Sequence, residues 1–360
     1  MQHTRHRNWP GCVAPLLLCA VLSGCGGGDE ATKASTKAAA ATAQQRGAAA
    51  VAGTEKPQAL GPGKLLRRYD KKGITAVALS PDGTALAVAR SDGKVRLLDS
   101  NSAVDVSRFD IKIDAIASGV VFSADGRLLG VAGRDSETHL FSVETGKELH
   151  VLHGHEHPIR SMAQSPAGAL VATAGEETRV MLWNSSTAKL ERILSGHTGF
   201  VNAVAFSADG SMLASGDAAG RILVWDVASG KLVHTLRGHA ADVLDVAFRP
   251  DGKVLASASA DSQILLWDLA QGVRTQVLAA HETPVRSVAF NRDGTVLASG
   301  GESGQILIWN GITGQLDKRL TAGSAPVNTL RFDSKNSNVL FSGSDDYNVV
   351  RWNVSSGVGK

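Results

Sequence analysis

One pattern recurs through most of this 360-residue chain at a period of 42 or 43 residues. The residues that close each copy are Leu98, Phe141, Trp183, Trp225, Trp267, Trp309 and Trp352. A second marker lies fifteen residues before each of them, at Gly83, Gly126, Gly168, Gly210, Gly252, Gly294 and, in the last copy, Ser337. Two markers that keep the same phase indicate seven copies of one supersecondary unit, and such units stack on their neighbours to bury a shared core.

Each copy predicts four short strands separated by turns. In the fifth copy the strands are predicted over residues 243–248, 254–259, 264–267 and 273–278. Pro250 presets φ in the first turn, and Gly252 permits a positive φ at its end. The apolar run that ends at Trp267 does not alternate with polar residues, which is typical of a strand buried on both faces. A small sheet packed between two neighbouring sheets has this property.

Charge and composition exclude several classes of protein. Residues 1–63 contain six Lys or Arg and three Asp or Glu, so they carry the whole net charge of +3. The remaining residues contain 31 basic and 31 acidic side chains, which argues against a basic domain that binds nucleic acid through its phosphates. Apolar residues make up 43% of the chain and charged residues 20%, so a collagen, a coiled coil and a wholly disordered chain are excluded.

The first 24 residues have the pattern of a signal peptide. Arg5 and Arg7 precede an apolar run over residues 12–22, which is too short to span a bilayer because a spanning helix needs about 20 residues. The sequence at its end, Leu22-Ser23-Gly24-Cys25, resembles the lipobox of bacterial lipoproteins. The resemblance implies cleavage before Cys25 and lipidation of its thiol. The alternative is an ordinary secretory signal that happens to contain a cysteine.

The cysteine count agrees with the lipoprotein interpretation. All three cysteines, Cys12, Cys19 and Cys25, lie in this region, so cleavage would leave one, with no disulfide and no thiol for catalysis or metal binding. Gly26 follows Cys25, and by resemblance to lipoprotein sorting a residue other than Asp here favours the outer membrane over the inner. Residues 25–63 are predicted to be the lipidated cysteine and a flexible linker, because they contain almost no bulky apolar side chains.

The repeated unit resembles the WD40 family of β-propellers. Gly-His pairs of that family occur at Gly154-His155, Gly196-His197 and Gly238-His239, and Trp-Asp pairs occur at Trp225-Asp226 and Trp267-Asp268. The resemblance covers residues 64–360 and implies an all-β fold, a seven-bladed β-propeller. Residues 64–70 match the fourth-strand sequence of other units, whereas the seventh unit lacks its own. We expect them to complete the last blade and to hide its open edge.

The WD40 resemblance also implies a buried chain of a His, a Ser or Thr, an Asp and the Trp in each blade. The fifth unit contains the full set, His239, Ser257, Asp261 and Trp267, and the third contains His155, Thr173, Glu177 and Trp183, in which the acid is one methylene longer. The fourth and sixth units have Ala219 and Ser303 in place of the acid. The first two units have neither the His nor the Trp, so we expect their blades to be the least regular.

These Ser, His and Asp residues also suggest a hydrolase, but a structural role explains them better. The sets recur about 42 residues apart, once per blade, so their members do not converge on one site. For the same reason the repeated histidines predict no metal site. The sequence contains no metal-binding, Walker or nucleophile-elbow pattern, and we expect no cofactor.

The surface then carries the function. WD40 propellers bind partners on the face that bears the turn after the second strand and the start of the first strand. The residues predicted to form this partner-binding face are Arg134, Arg160, Glu176, Phe200, Arg286 and Glu302. Exposed aromatic and Arg side chains are enriched at binding hot spots. The alternative is a solvated rim with one stray Phe.

We therefore expect a non-catalytic scaffold for protein–protein interaction, held by a lipid anchor and facing the periplasm of a bacterial cell envelope. Contact with the membrane is expected through the lipid alone, and neither nucleic acid nor a small-molecule substrate is expected as a partner. The alternative is a propeller enzyme, such as a quinoprotein-like dehydrogenase or a lactonase-type hydrolase. Three or more ionisable side chains meeting in the axial channel would favour that enzyme.

Overall fold

A computed structural model describes residues 63–70, 72–106 and 109–355. Within these ranges the chain forms 28 strands in seven four-stranded antiparallel sheets. The expected all-β, seven-bladed propeller is thus confirmed. No helix in the described part of the chain has the length and apolar character needed to cross a membrane. The predicted signal peptide, Cys25 and the predicted linker up to residue 62 lie outside the described residues.

The first three blades are formed by twelve strands in chain order. Blade 1 contains β2 (Ile74–Leu79), β3 (Ala85–Arg90), β4 (Lys94–Asp99) and β5 (Ile111–Lys112). Blade 2 contains β6 (Ala117–Phe122), β7 (Leu128–Gly133), β8 (Thr138–Ser142) and β9 (Glu148–Leu152). Blade 3 contains β10 (Ile159–Gln164), β11 (Leu170–Gly175), β12 (Arg179–Asn184) and β13 (Lys189–Ser195).

The remaining blades follow the same order. Blade 4 contains β14 (Val201–Phe206), β15 (Met212–Asp217), β16 (Arg221–Asp226) and β17 (Leu232–Arg237). Blade 5 contains β18 (Val243–Phe248), β19 (Val254–Ser259), β20 (Ile264–Asp268) and β21 (Val273–Leu278). Blade 6 contains β22 (Val285–Phe290), β23 (Val296–Gly301), β24 (Gln305–Asn310) and β25 (Leu316–Thr321). Blade 7 contains β26 (Val327–Phe332), β27 (Val339–Ser344) and β28 (Asn348–Asn353), with β1 (Gly63–Arg68) as its fourth strand.

The blades surround a central axis. The first strands of neighbouring blades contact one another in a closed ring, from β2 through β26 and back to β2. The second and third strands are buried because each sheet lies between two others: β11 and β12 are buried along most of their length, whereas β13 is exposed except at Leu194. This gradient explains why the third strands read as continuous apolar runs.

The last blade joins the two ends of the propeller. β1 pairs antiparallel with β28, so that Gly63 lies opposite Trp352 and Arg68 opposite Asn348. The backbone N–H of Tyr69 extends the pairing by donating to the carbonyl oxygen of Tyr347 at 2.9 Å. A Cβ atom on Gly63 would lie 2.6 Å from the Trp352 ring, so this close approach requires glycine. The strand covers residues 63–68, where the sequence predicted 64–70.

The first two blades differ in regularity. In blade 1 the outer strand β5 has only two residues, in agreement with the expectation of an irregular blade. Blade 2 has four strands of five or six residues, contrary to that expectation. Its Val131 and Phe141 are both buried at the positions of the hydroxyl and the indole. An apolar pair fills the site without any polar group that needs a partner.

Every first strand contains a β-bulge one residue after its start. The register of each first strand shifts there, which leaves one residue without a partner on the second strand. The bulge residues are Thr75, Ser118, Arg160, Asn202, Leu244, Arg286 and Asn328. A bulge bends its strand and re-aims the unpaired side chain. All seven line one cavity at the same end of the axis, which we call the upper end.

Deletion of residues 64–70 should lower the melting temperature far more than deletion of residues 26–56. The first deletion exposes the edge of β28 and separates the chain ends, whereas the second removes none of the described strands. Thermal unfolding followed by circular dichroism measures both variants. Equal melting temperatures would show that β1 contributes little to closure.

Candidate functional site

A chain of buried hydrogen bonds fixes the fifth blade. Nδ1 of His239 lies 2.8 Å from Oδ2 of Asp261, and its Nε2 lies 2.7 Å from the hydroxyl oxygen of Ser257. The indole N–H of Trp267 donates to the same hydroxyl oxygen at 2.9 Å. Burial lowers the pKa of His239, and this effect outweighs the adjacent carboxylate, which raises the pKa. The imidazole is therefore neutral. The ring therefore donates its Nδ1 proton to Asp261 and accepts the Ser257 proton at Nε2.

The third blade forms the same chain with a longer acid. Nδ1 of His155 contacts the Glu177 carboxylate, and its Nε2 lies 2.6 Å from Oγ1 of Thr173. The Trp183 indole donates to that oxygen at 2.7 Å. The second oxygen of Glu177 accepts a hydrogen bond of 2.7 Å from Arg179. The extra methylene is thus accommodated, and the arginine neutralises the buried charge.

The fourth blade has a complete chain too, which shows that the expectation of a missing acid was wrong. Asp217, two residues before Ala219, lies with Oδ2 2.8 Å from Nδ1 of His197. Nε2 of His197 lies 2.6 Å from the Ser215 hydroxyl, to which the Trp225 indole donates at 2.9 Å. A carboxylate can therefore enter this site from either of two backbone positions.

The environment of Asp217 explains how the fully buried acid is tolerated. Arg221 donates to Oδ2 of Asp217 through its guanidinium at 2.8 Å and to Oδ1 through its backbone N–H at 2.9 Å. Burial alone would raise the pKa of Asp217, but the hydrogen bonds from His197 and Arg221 hold it well below its usual range. The position equivalent to Asp217 carries Gly175, Ser259 or Gly301 in blades 3, 5 and 6. An Asp where a small residue is usual is the sequence signal that could have identified this acid.

The sixth blade lacks the acid. Nε2 of His281 lies 2.7 Å from the Ser299 hydroxyl, and the Trp309 indole donates to that hydroxyl at 2.8 Å. Nδ1 of His281 is buried and has no hydrogen-bond partner among the residues that the structure describes. Burial lowers the pKa of His281 to about 4, with a smaller contribution from the positive charge of Arg319. Ser303 stands at the position of Asp261 and leaves this nitrogen unsatisfied.

The upper end of the ring has a repeated backbone frame. In every blade the residue just before the first strand accepts a hydrogen bond at its backbone carbonyl oxygen. The donor is the backbone N–H of the residue just after the second strand, at 2.9–3.0 Å. The acceptors are Gly73, Ile116, Pro158, Phe200, Asp242, Pro284 and Pro326, and the donors are Ser91, Arg134, Glu176, Ala218, Ala260, Glu302 and Asp345. We call these fourteen residues and the seven bulge residues the upper rim. All six predicted partner-binding residues belong to it.

One network of charged side chains crosses blades 2, 3 and 4 on the upper rim. The Glu176 carboxylate accepts hydrogen bonds from Arg134 at 2.6 Å and from Arg160 at 3.1 Å. Arg160 also donates to Oδ1 of Asn202 at 3.0 Å, and Asn202 donates to the carbonyl oxygen of Val243 in blade 5. Two guanidinium groups share one carboxylate, so the network keeps an excess positive charge.

A second network repeats this geometry across blades 6, 7 and 1. Arg286 donates to Glu302 at 2.8 Å and to Oδ1 of Asn328 at 2.8 Å. Asn328 donates in turn to Asp345 at 2.7 Å and to the carbonyl oxygen of Ile74 at 2.9 Å. Here two carboxylates accompany one guanidinium, so the excess charge is negative. The two networks tie neighbouring blades together besides shaping the rim.

Phe200 is the exposed aromatic residue of the upper rim. It precedes β14, and 49% of its surface is exposed. Its backbone is fixed because its carbonyl oxygen accepts the N–H of Ala218 at 2.9 Å. The bulge residue next to it along the chain is Asn202, which belongs to the positively charged network. Phe200 thus lies two residues along the chain from a member of the positively charged network.

The cavity at the upper end of the axis has a volume of about 110 Å³. Its lining includes four ionisable side chains, Arg160, Asp245, Arg286 and Arg331. Asp245 is engaged by the Ser287 hydroxyl at 2.9 Å and by the backbone N–H of Val288 at 3.0 Å, and burial raises its pKa. Pockets for drug-sized ligands measure roughly 300–1,000 Å³. The number of ionisable groups meets the criterion set for an axial enzyme site, but these groups are paired with neighbours and the space between them is small.

A wider cavity of about 730 Å³ opens at the lower end of the axis. The residues that line it are mostly apolar, among them Phe206, Phe248, Phe290 and Phe332. The turns that border it are tight: the Asp209 carboxylate accepts hydrogen bonds from Ser207 and Ser211, which lower its pKa to about 2. None of the predicted partner-binding residues lines this cavity.

The closed ring of seven four-stranded sheets defines the chain as a seven-bladed β-propeller. The model of the family described as "WD domain, G-beta repeat" matches residues 146–184, 188–226, 230–268 and 272–310, and that described as "Anaphase-promoting complex subunit 4 WD40 domain" matches residues 64–118. The chain thus contains WD40 repeats. It is 35% identical over 88 residues to the meiotic recombination protein rec14 of Schizosaccharomyces pombe, which is 24% of this chain and 29% of that protein. The match thus spans less than a third of the relative's length.

Asp261→Ala should lower the free energy of unfolding by about 1–3 kcal/mol, because it leaves the buried Nδ1–H of His239 without an acceptor. Asp317→Ala, in the exposed outer strand β25, is the matched control and should change stability by less than about 0.5 kcal/mol. Urea unfolding measures both. An equal, small effect of the two substitutions would show that the chain in blade 5 does not stabilise the fold.

Ser303→Asp should raise the free energy of unfolding by about 0.5–1.5 kcal/mol, because it offers an acceptor to the orphaned Nδ1 of His281. Ala219→Asp should instead lower it, because Asp217 already occupies the equivalent site and a second carboxylate would repel it. The sequence alone suggested that Ala219→Asp would be neutral or mildly stabilising. Stabilisation by Ala219→Asp would contradict the role of Asp217.

The wild type and Ser303→Asp also test how the stability of the fold depends on pH. The pKa of His281 is about 4 in the folded state against 6.5 as the ordinary value. As the pH falls, the unfolded chain therefore binds a proton at His281 before the folded chain does. The stability that comes from keeping His281 neutral is complete above about pH 6.5 and is lost as the pH falls toward 4. Urea unfolding at pH 7 and pH 5 should show a smaller loss in Ser303→Asp than in the wild type.

Proposed function

We propose that this propeller is a scaffold that binds a protein partner on its upper rim. A WD40 propeller is suited to this role because its surface is carried on a rigid frame. The observation that supports the upper rim is the exposed Phe200 on the same rim as two prearranged charged networks. Side chains that are already ordered lose little conformational entropy on binding. The proposal therefore favours the upper rim over the apolar cavity at the lower end.

The charge of the two networks suggests the chemistry of the partner. Arg134 and Arg160 share one carboxylate close to blade 4, so an acidic side chain of the partner would be attracted there. Phe200 offers an apolar surface beside it, and an aromatic or aliphatic side chain would pack on this ring. We expect a protein segment that combines an acidic and an apolar residue. The paired Arg286 and Glu302 would contact the periphery of such a partner and set its orientation.

We propose further that the propeller is anchored by a lipid on Cys25 and faces the periplasm of a bacterial cell, with the outer membrane favoured. The lipobox-like sequence before Cys25 supports this proposal. The anchor would confine the scaffold to a membrane surface and raise the concentration of its partner-binding rim there.

A photo-reactive amino acid at position 200 should form covalent adducts with a partner in the native host, because Phe200 is exposed on the upper rim. The control is the same amino acid at position 292, where an exposed Arg lines the lower cavity. Electrophoresis and mass spectrometry of the adducts should find one recurring protein at position 200 and not at position 292. Adducts at position 292 alone would place the binding face at the lower end.

Cys25→Ser should abolish acylation and release the protein from membranes or leave its signal peptide attached. Metabolic labelling with a radioactive fatty acid and membrane fractionation measure the two effects. Cys19→Ser, which lies outside the lipobox-like sequence, is the control and should behave as the wild type. Equal membrane retention and labelling of Cys25→Ser would contradict the lipid anchor, while leaving the binding function of the rim untouched.

A further inference from the structure

Blade 2 carries a group of ionisable side chains that the partner-binding surface does not use. Asp135 follows β7, Glu137 precedes β8, and His139 lies within β8. One ligand atom from each of the three lies within 4.8 Å of the others. Glu148 at the start of β9 and His153 just after it complete the group.

The distances show that both nitrogens of His139 face carboxylate oxygens. Nδ1 lies 2.7 Å from Oε1 of Glu148, whereas Nε2 lies 3.3 Å from Oδ2 of Asp135 and 3.9 Å from Oε2 of Glu137. In the tautomer whose Nδ1–H donates to Glu148, Nε2 is free to act as a ligand together with the two carboxylate oxygens that it faces.

The spacing of the three atoms suits a small metal ion. Ligands at about 2.0–2.2 Å from a tetrahedral zinc ion lie roughly 3.3–3.6 Å from one another. The separations of Nε2 from the two carboxylate oxygens, 3.3 Å and 3.9 Å, are close to this value. The His139 side chain is 12% exposed and the Asp135 side chain 30% exposed, so the site is shielded yet open to an ion from solution.

A comparison with the other blades shows how unusual this group is. The position of His139 carries a buried apolar residue in blades 3 to 6, namely Met181, Leu223, Leu265 and Leu307. The position of Glu137 carries Arg179 in blade 3 and Arg221 in blade 4, and each of these neutralises the acid beside it. In blade 2 a second acid replaces that arginine. Among the described residues no Lys or Arg forms an ion pair with Asp135, Glu137 or Glu148.

We propose that Oδ2 of Asp135, Oε2 of Glu137 and Nε2 of His139 bind one divalent transition-metal ion, with Zn²⁺ as the best fit. The imidazole ligand favours such an ion over Ca²⁺ or Mg²⁺, which prefer oxygen ligands alone. Glu148 fixes the tautomer of His139, as carboxylates commonly do behind a metal-bound histidine. His153 lies 2.9 Å from the other oxygen of Glu137 and holds that carboxylate in place. Water would complete the coordination.

The ion would give blade 2 the cross-link that it otherwise lacks. In blades 3 and 5 the buried His-to-Trp chain ties the turn after the second strand, which carries the acid, to the third strand, which carries the Trp. Blade 2 has Ile113, Val131 and Phe141 at the corresponding positions, and all three are buried apolar residues. A metal ion held by Asp135, Glu137 and His139 would tie the same turn to the same strand from the outer side.

The experiment uses the purified full-length protein after removal of metal with a chelator. Equilibrium dialysis with Zn²⁺ compares the wild type with His139→Leu, which introduces the residue of blades 4 to 6 and should fold. His150→Ala, an exposed histidine on β9, is the matched control. The wild type and the control should bind one ion more than His139→Leu. Glu148→Gln should keep that ion with an affinity reduced about 10–100-fold, as for other residues behind the ligands.

Two further measurements test whether the ion is bound at His139 and not elsewhere on the protein. Thermal unfolding should show a Zn²⁺-dependent rise in melting temperature for the wild type and none for His139→Leu, because a ligand stabilises only the state that binds it. Co²⁺ bound at this site should give an absorption spectrum without a thiolate charge-transfer band, and His139→Leu should remove that spectrum. Co²⁺ bound by the cysteines would show the band. If His139→Leu fails to fold, Asp135→Asn replaces it. Equal stoichiometry in wild type and variant, or a His139 ring protonated on both nitrogens in the presence of Zn²⁺, would overturn the proposal.

Discussion

The hydrogen bond from the tryptophan indole to the hydroxyl of the neighbouring strand is the interaction that five blades share. It joins Trp183, Trp225, Trp267, Trp309 and Trp352 to a Thr or Ser at 2.7–2.9 Å. A buried hydroxyl must satisfy its proton as well as its lone pairs, so the bond creates a demand for a further acceptor. In blades 3 to 6 an imidazole meets the demand, and the imidazole then needs its own acceptor. These blades differ in which group, if any, accepts the hydrogen bond from this imidazole.

Three solutions and one failure are visible along the chain. Asp261 and Glu177 approach the imidazole from one backbone position, and Asp217 approaches it from two residues earlier. In blade 6 no acid within residues 63–70, 72–106 and 109–355 reaches His281, whose Nδ1 has no acceptor or donor there. Blade 2 removes the demand by replacing the hydroxyl and the indole with apolar side chains. We expect these differences to make the blades unequal in stability.

The period of the sequence was sufficient to predict the strands and the number of blades, because turn residues and buried strands leave a local signal. Asp217 escaped prediction because alignment by position assigns the acid to residue 219, whereas the site is defined by where a carboxylate can reach. The metal-site expectation considered only the histidines that repeat between blades. It did not consider that Asp135, Glu137 and His139 meet within one blade, which depends on neighbouring strands and not on spacing between repeats.

The residues predicted to bind a partner could be assigned to a face from the repeat, but their pairing with one another could not. Arg160 contacts Asn202, 42 residues away along the chain, only because the bulge in each first strand turns one side chain toward the next blade. The sequence predicted Arg160 and Arg286 only as residues of the partner-binding face. In the structure each guanidinium is shared between a Glu and an Asn, which fixes its position.

The direction of β1 has a consequence for how the propeller is presented. β1 runs antiparallel to β28 and begins at Gly63, opposite Trp352, at the lower end of the blade; it reaches the upper end only at Arg68, opposite Asn348. Any chain segment that precedes Gly63 is therefore attached at the lower, outer edge of the ring. The point of attachment at Gly63 and the upper rim therefore lie at opposite ends of the axis.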